Sequence, residues 1–285
     1  MSLRQILSAT RAEFSSRDIP GVDAELLAAH VLGISRMQLH AQEYTFTEDQ
    51  SLEFSSLVAA RIEGTPLYYL TGSAPFRYLT FNVGPGVLIP RPETELLVDA
   101  ALVEIERIQS DFSYKSGTPT SVVDLGSGSG AIAISIADEA QKRALRTHVV
   151  AVEKEPEALT WLERNIALHE SDVRVIRDDV SNALIGVKCD IVIANPPYIP
   201  DGAALPADVM QEPASALFGG ASGVEVPFRF ITAATRILKS GGLLIMEHHE
   251  SQSKELEAFM AEDYREIVHH RDLNERPRWI TARRR

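Results

Sequence analysis

A chain of 285 residues with 45% hydrophobic and 24% charged side chains has the composition of a soluble globular protein of one or two domains. Its formal charge of -12 disfavours broad binding to a nucleic-acid backbone. No apolar run approaches the ~20 residues of a membrane helix, and the N-terminus lacks the apolar stretch of a signal peptide. The single cysteine, Cys189, excludes an internal disulfide framework. We therefore expect a cytoplasmic protein without membrane contact, and direct nucleic-acid binding is not expected.

Residues 1–72 are predicted to form a small helical bundle without a catalytic signature. Apolar residues recur at near-helical spacing over 3–14. Asp23 is placed to cap a second helix, and Thr47 precedes a third that runs to about Glu63.

A change in pattern follows the bundle. Alternating apolar residues over 75–89 predict a β-hairpin with its turn at Gly84-Pro85-Gly86. We treat 73–91 as a linker to a second domain, because Pro92 is placed to open a helix at its first turn.

Strands and helices alternate over 92–285. The predicted strands are 121–125, 148–152, 173–176, 191–194 and 243–247, and the predicted helices lie around 93–109, 131–145, 156–168, 224–239 and 251–262. This alternation is typical of an α/β fold with a largely parallel sheet and helices on both faces. The polar stretch 109–120 is predicted to be a loop, and Arg283-Arg284-Arg285 a solvated tail.

A glycine-rich turn joins the first of these strands to a helix. It reads Gly126-Ser127-Gly128-Ser129-Gly130. Glycines allow a tight turn and close approach of a ligand to the helix N-terminus. Because the spacing with Ala131 also fits the dinucleotide fingerprint, the motif indicates a nucleotide-type ligand without choosing it.

Glu153 ends the next apolar strand, 23 residues after Gly130. A carboxylate at this position can accept both hydroxyl groups of a ribose through its two oxygens. We therefore predict that Glu153 binds the ribose of a nucleotide cofactor, against the alternative of a solvated charge.

The run Asn195-Pro196-Pro197-Tyr198 follows the buried strand predicted over 191–194. Both prolines lack an N–H and fix the backbone, so the carbonyl groups here are rigidly directed. The Asn195 side-chain oxygen and the Pro196 carbonyl are placed to accept two N–H groups of a planar amide or amine, and Tyr198 to stack on it. A proline-rich turn without a ligand is the alternative. We predict an acceptor site here, with Asn195, Pro196 and Tyr198 as catalytic residues.

The sequence resembles the HemK-type protein-glutamine N5-methyltransferases, which belong to the Asn-Pro-Pro-Tyr class of S-adenosylmethionine-dependent enzymes. The resemblance covers nearly the whole chain, and its most specific segment is Pro90-Arg91-Pro92-Glu93-Thr94-Glu95. Glu212-Pro213, Gly241-Gly242 and Glu247 also look similar. The resemblance implies a helical substrate-recognition domain, a hairpin and a Rossmann-like methyltransferase domain. It also implies S-adenosylmethionine as the cofactor and the glutamine of the Gly-Gly-Gln loop in peptide chain release factors as the acceptor.

Roles carried over from the family complete the expected site. The 126–130 loop is expected to hold the methionine part and ribose, and Asp179 and Val180 to lie beside the adenine, with Asn195 also near the cofactor. Relatives usually have Asp where this chain has Glu153, and some have an aromatic residue in place of Val180. No metal ion, covalent nucleophile or general base is expected.

Three other functions fit parts of the pattern. N6-adenine methylation of DNA or RNA would reuse Asn195 to Tyr198, although the acidic balance disfavours it. A cofactor-binding regulatory module would not need an acceptor motif. An NAD oxidoreductase would need an acid–base pair near the nucleotide, and none is evident.

Overall fold

The computed structural model describes residues 2–111 and 117–285. The chain forms two compact units. Unit 1 comprises the residues up to Ser73 together with Leu205–Gln211, and unit 2 comprises Ala74–Ala204 and Glu212–Arg285. The middle of the loop predicted over 109–120 lies outside the described residues. Among the described residues, no helix is both long and apolar enough to cross a membrane.

Unit 1 is helical, as its sequence predicts. Its helices are α1 (Leu3–Ser15), α2 (Val22–Leu32), α3 (Arg36–Ala41), α4 (Glu48–Ile62) and α5 (Leu67–Thr71). Thr47 caps α4 through a reciprocal pair of hydrogen bonds with Gln50, which confirms the predicted helix start. The capping role predicted for Asp23 is wrong. Helix α2 begins at Val22 and Gly21 occupies the cap position, so Asp23 lies inside the first turn of the helix.

Asp23 instead takes part in a buried ion-pair cluster inside unit 1. Its carboxylate accepts a hydrogen bond from Arg61 Nε at 2.9 Å, and Arg61 is only 6% exposed. The same guanidinium donates to Asp208 at 3.0 Å and to the Thr65 carbonyl at 3.2 Å. Arg61 therefore fixes Leu205–Gln211 onto the helices of unit 1 through a charge that is removed from water.

The hairpin has a different turn from the one predicted. Its strands are β1 (Ser73–Phe76) and β2 (Leu79–Asn82), so the turn lies at Arg77-Tyr78 and the prediction of a turn at 84–86 is wrong. Arg77 adopts a left-handed φ of 54°, a conformation common in two-residue hairpin turns. Its backbone N–H donates to Glu95 at 2.8 Å, and its guanidinium pairs with Glu139 at 2.8 Å. These contacts stabilise a turn without glycine.

Unit 2 alternates strands and helices. Its helices are α6 (Glu95–Ser110), α7 (Ala131–Lys142), α8 (Pro156–Leu168), α9 (Ala214–Leu217), α10 (Glu225–Ile237) and α11 (Ser253–Met260). The strands are β3 (Thr120–Leu125), β4 (Thr147–Glu153), β5 (Arg174–Arg177), β6 (Cys189–Ala194), β7 (Ile199–Pro200), β8 (Phe218–Gly220), β9 (Leu238–Glu247), β10 (Tyr264–Arg271) and β11 (Pro277–Arg284). A short 3₁₀ helix, Pro92–Thr94, precedes α6.

The main sheet has the strand order β10-β11-β9-β6-β3-β4-β5. Strands β9, β6, β3, β4 and β5 are parallel, and β10 and β11 are antiparallel. Val122 belongs to the core on one face of the sheet with residues of α6 and α7, and Val123 to the core on the other face with residues of α10 and α11. The predicted α/β fold class is therefore confirmed. The carboxyl ends of β3, β4 and β6 lie side by side, since Leu125 pairs with both Val152 and Ala194.

Strand β10 at the edge of the sheet and strand β11 between β10 and β9 were not predicted, and β11 includes arginines of the C-terminus. The prediction of a solvated arginine tail is wrong, because Arg283 lies in β11. Its guanidinium donates two hydrogen bonds of 2.9 Å to the buried carboxylate of Glu104 on α6. Arg284 donates to the Asp263 carbonyl at 2.7 Å. These arginines neutralise charge and bond to the backbone within the fold.

We predict that Arg61→Ala lowers the free energy of unfolding of unit 1 by about 3–5 kcal/mol, because Asp23 would remain buried without its counter-charge. Arg17→Ala is the matched control, since Arg17 is about half exposed and pairs with Glu13 on the surface. That change should cost less than about 1 kcal/mol. Urea unfolding followed by circular dichroism measures both. Equal losses would mean that the buried pair contributes no more than a surface pair.

Candidate functional site

A cavity of about 280 Å³ lies within unit 2 at the carboxyl ends of β3, β4 and β6. This is near the lower end of the range for small-molecule sites. It brings together predicted residues from four separate parts of the chain: Gly126, Ser127, Gly128, Ser129, Glu153, Asp179, Val180, Asn195 and Pro197. Gly130, Pro196 and Tyr198 are not among the lining residues. The sequence motifs thus meet at one end of the sheet, as expected for an open α/β fold.

The glycine loop is held against the next strand by its own backbone. The N–H groups of Gly126 and Ser127 donate to the Val152 carbonyl at 2.9 and 3.0 Å. Gly126 has a φ of 72°, and a Cβ there would lie 3.1 Å from the Phe230 ring. A side chain at this position would therefore crowd the cavity wall.

Gly130 has a structural reason to be glycine that differs from ligand binding. It lies at the N-cap position of α7 with a φ of 84°. A Cβ there would lie 2.5 Å from Leu162 Cδ1, which is fully buried on α8. The third glycine thus permits α7 and α8 to pack closely, and the ligand contact expected for it stays a prediction.

Glu153 is almost buried and lies at the end of β4, where its two oxygens face different groups. Oε2 accepts a hydrogen bond from the Gly128 N–H at 2.8 Å. Oε1 accepts from the N–H groups of Lys154 and Glu155 at 2.7 and 2.9 Å. A carboxylate has about four lone-pair positions, and these three hydrogen bonds leave one free, on Oε2, for a hydroxyl group of a ligand. Glu153 therefore orders the glycine loop and lines the cavity at once.

Asp124 lies directly beneath the glycine loop and is fully buried. Its Oδ2 accepts a hydrogen bond from the Ser127 hydroxyl at 2.6 Å, which fixes the loop from below. Burial raises the pKa of this carboxyl to about 7, against the lowering effect of the Ser127 hydrogen bond. Sequence reasoning assigned Asp124 no role, because its side chain reads only as part of the strand that ends at Leu125.

The third part of the wall follows β5. Asp178, Asp179 and Val180 all line the cavity, and Val180 is only 9% exposed. The Asp179 carboxylate accepts from the Ser181 N–H at 2.9 Å and pairs with Lys154 at 3.3 Å. These contacts lower the pKa of Asp179, with the backbone hydrogen bond from Ser181 as the largest cause. Asp178 was not predicted as a site residue, because the family resemblance implies roles only for Asp179 and Val180.

A hydrogen-bonded chain lies behind Asn195. The Asn195 Nδ2 group donates to Thr94 Oγ1 at 3.1 Å, and the Thr94 hydroxyl donates to Glu247 Oε2 at 2.7 Å. The Tyr198 hydroxyl donates to the other oxygen, Glu247 Oε1, at 3.0 Å. Burial and the adjacent Glu247 raise the pKa of Tyr198, so its phenol keeps its proton. The stacking role expected of the Tyr198 ring stays a prediction.

Two segments absent from the predicted site close the cavity rim. Val87 and Arg91 line it from one segment, and Ala216 from another. Glu212, which is only 5% exposed, holds these segments together: its Oε2 accepts from the Ile89 N–H at 2.9 Å and its Oε1 pairs with Arg91. Both segments resemble the family in sequence, but the spacing of their residues does not predict a place in the site.

Two pairs of adjacent histidines, His248-His249 and His269-His270, are not among the residues that line the cavity. His248 is fully buried, and its ring meets that of His269 edge to face at 6.1 Å. Burial lowers the pKa of His248 to about 4, so the ring is neutral near pH 7. In residues 2–111 and 117–285, no group of three or more His, Cys, Asp or Glu side chains has a metal-binding arrangement.

Comparison with known proteins decides the family. Residues 5–72 match the model of the PrmC N-terminal domain, and residues 105–218 match that of the methyltransferase small domain. A release factor glutamine methyltransferase from Mycolicibacterium smegmatis is 38% identical, over 99% of this chain and 98% of its own. The chain belongs to the release factor glutamine methyltransferase family.

Another member of this family, from Escherichia coli, is 32% identical over 99% of this chain and 97% of its own. The 16S rRNA N2 G1207 methyltransferase from T. thermophilus, solved with AdoMet and guanosine, is 20% identical with a TM-score of 0.51. It covers 75% of this chain and 50% of its own, and this likeness concerns the fold. The predictions of the family, the methyltransferase class and the α/β fold are thus confirmed.

We predict that Asp124→Asn changes how stability depends on pH. A buried carboxyl with a raised pKa stabilises the fold below its unfolded pKa of about 4, and this contribution is lost as the pH rises through about 7. Asparagine keeps an acceptor for Ser127 and has no charge. Between pH 5 and 8 the variant should therefore gain roughly 2–4 kcal/mol relative to the wild type, at about 1.4 kcal/mol per pKa unit. Urea unfolding at several pH values tests this, and parallel pH curves would contradict it.

Proposed function

We propose that the protein methylates the side-chain amide nitrogen, N5, of the glutamine in the Gly-Gly-Gln loop of peptide chain release factors, using S-adenosylmethionine. The observation that carries this proposal is the position of Asn195, which lines the same cavity as the glycine loop and Glu153. Membership in the family, over nearly the whole chain, supports the same reaction. The single cysteine, Cys189, is a buried free thiol. Because reduced cysteines are typical of the cytoplasm, we include a cytoplasmic location in the proposal.

The residues of the cavity fit S-adenosylmethionine. Glu153 offers one free lone pair, on Oε2, for a ribose hydroxyl, and the glycine at position 126 leaves space that a Cβ would fill. Val180 gives an apolar wall beside Asp179, where an adenine can lie. We therefore assign Gly126 to Gly130, Glu153, Asp179, Val180 and Asn195 to the cofactor, with Gly130 acting through helix packing.

When bound, S-adenosylmethionine supplies an electrophilic methyl group on a sulfonium sulfur. The difficulty of the reaction lies in the acceptor, since the lone pair of an amide nitrogen is delocalised into its carbonyl. We assign the Asn195 oxygen and the Pro196 carbonyl to the two N–H groups of the acceptor. Fixed acceptors on both sides align the nitrogen and stabilise the positive charge that develops on it. Pro197 and Tyr198 complete this acceptor site.

A protein acceptor must also be bound away from the reacting glutamine, because a single loop offers little contact area. We assign this role to unit 1, which matches the PrmC N-terminal domain and lacks the cofactor and acceptor motifs. It exposes large apolar side chains, with Met37 82% and Leu52 66% exposed. Exposed apolar groups of this kind are typical of protein contact surfaces where they cluster.

The direct test of the proposed function incubates the protein and radiolabelled S-adenosylmethionine with a release factor in one reaction and with DNA or RNA in another. The label should appear on the glutamine of the release factor, and its Gln→Ala variant should remain unlabelled. Label in an adenine of the nucleic acid instead would support N6-adenine methylation. Binding of the cofactor without any transfer would indicate a regulatory module.

We predict reciprocal effects of two substitutions at the ends of β6 and β4, the strands on either side of β3. Asn195→Ala should abolish steady-state turnover, with only a residual single-turnover rate, and leave cofactor affinity within about tenfold, or roughly 1.4 kcal/mol, since the amide contacts the acceptor. Glu153→Ala should weaken the cofactor by roughly 1.5–3 kcal/mol, because a charged hydrogen-bond acceptor is lost and the Gly128 N–H loses its partner. Calorimetric titration and steady-state kinetics measure both. If Asn195→Ala abolished cofactor binding, this division of roles would be wrong.

We predict that Met37→Ser and Leu52→Ser raise KM for the intact release factor by about threefold to tenfold, with kcat unchanged, because only acceptor contacts are lost. A short peptide containing Gly-Gly-Gln should react with the same KM in all variants. Substitution is preferred to truncation, since Leu205–Gln211 packs within unit 1 and would lose its partners. Leu273→Ser, at a 92% exposed site in unit 2, is the control. Unchanged KM in both variants would assign this part of unit 1 to stability alone.

A further inference from the structure

Two buried side chains next to Asn195 have no part in the assigned roles, and one of them, Thr94, lines the cavity. Thr94 is 4% exposed and Glu247 is 1% exposed, and they come from the 3₁₀ helix before α6 and from the end of β9. They lie in the chain that runs from Asn195 Nδ2 to Thr94 Oγ1 and on to Glu247 Oε2. Burying a carboxylate is costly, so its hydrogen bonds must all be satisfied by fixed partners.

The direction of each hydrogen bond in this chain follows from the chemistry of the groups. Glu247 accepts a hydrogen bond at each oxygen, from Tyr198 at Oε1 and from Thr94 at Oε2, so the Thr94 hydroxyl gives its one proton to Glu247. The Thr94 oxygen is then available to Asn195 only as an acceptor. The amide must therefore turn its NH₂ group to Thr94, which leaves Oδ1 as the free end of the side chain.

We propose that Thr94 and Glu247 are positioning residues that lock the Asn195 amide with its oxygen toward the acceptor nitrogen. This inference rests on the proposed function, in which Oδ1 accepts an N–H of the glutamine. Without the lock, the amide can rotate by 180° and present its own NH₂ to the acceptor. Two donors would then face each other, and the nitrogen would not be held for transfer.

The charge of Glu247 is set by its surroundings. The pKa of Glu247 is raised because the group is fully buried, and the hydrogen bonds from Thr94 and Tyr198 and the positive charge of Arg278 on β11 offset this only in part, while Glu93 raises the pKa further. A protonated Glu247 can donate to Thr94 and release the threonine proton toward Asn195. Orientation of the amide should therefore be lost as the pH falls through the range in which Glu247 takes up a proton.

The first test removes the Thr94 hydroxyl at nearly constant volume. Thr94→Val should lower kcat about 10- to 100-fold, somewhat less than the loss of a direct transition-state contact, with KM and cofactor Kd within about threefold. Thr94→Ser keeps the hydroxyl and should restore most of the turnover. Thr120→Val is the control, since Thr120 is fully buried and accepts from the Gln109 amide at 3.1 Å, away from the cavity. An unchanged kcat in Thr94→Val would overturn the proposal.

A double-mutant cycle separates positioning from direct contact. If Thr94 acts through Asn195, the Thr94→Val/Asn195→Ala double variant should have the same residual single-turnover rate as Asn195→Ala alone. Rates that fall by the product of the two single effects would show that Thr94 acts independently, and would overturn the proposal. Glu247→Gln should lower kcat and flatten the acid limb of its pH profile. An unchanged acid limb would exclude the role of the Glu247 charge.

A measurement without the release factor keeps this inference distinct from the proposed function. In a ¹⁵N spectrum, the Asn195 side-chain NH₂ is assigned by its loss in Asn195→Ala. Its hydrogen exchange should be slow in the wild type and Thr94→Ser, and fast in Thr94→Val. Fast exchange in the wild type would overturn the lock even if the release factor is methylated. Slow exchange together with an unmethylated release factor would support the lock and refute the proposed acceptor.

Discussion

The parallel pairing of β3, β4 and β6 is the constraint on which the site depends. Parallel strands place their carboxyl ends at one edge of the sheet, so the loops that follow Leu125, Glu153 and Ala194 meet there. The register is fixed by two buried faces, because a shift by one residue would turn Val122 and Val123 to the wrong sides of the sheet. The packing of the core thereby sets the distances within the cavity.

Buried carboxylates give this edge its rigidity. Glu153 holds the Gly128 N–H, Asp124 holds the Ser127 hydroxyl, and Glu212 holds the Ile89 N–H. Each of these carboxyl groups is removed from water and accepts a hydrogen bond from a loop, so movement of the loop would leave a buried carboxyl oxygen without its donor. Glu247 does the same for Thr94 and Tyr198. Such a network is expected for a site that must hold two reactants in a fixed geometry.

Unit 1 is held together by a buried charge in a similar way. Arg61 joins Asp23 of α2 to Asp208, which lies in a segment distant in the sequence. That segment follows the acceptor motif along the chain, so unit 1 is not continuous in sequence. Experiments on the recognition role proposed for this unit therefore require substitutions within the intact chain.

Local signals in the sequence determined much of the fold and part of the site. Strand-to-glycine and strand-to-carboxylate patterns are short-range features, so the sequence pointed to Gly126 and Glu153, which both line the cavity, and to the start of α4 at Thr47. Motifs such as Pro90 to Glu95 also indicated the family from the sequence alone. By contrast, the hairpin turn at Arg77 depends on Glu95 and Glu139, and no local turn signal marks it.

Tertiary structure alone decided the remaining features. The arginines at the C-terminus resemble a solvated tail because their partner, Glu104, lies 179 residues away in the chain. The partnership of Thr94, Asn195 and Glu247 likewise joins three segments that only the folded sheet brings into contact. Residue type and spacing report the backbone and its nearest neighbours, whereas a buried hydrogen bond between distant segments depends on strand order and register. The orientation of the Asn195 amide was therefore decided by the fold and not by the motif that contains it.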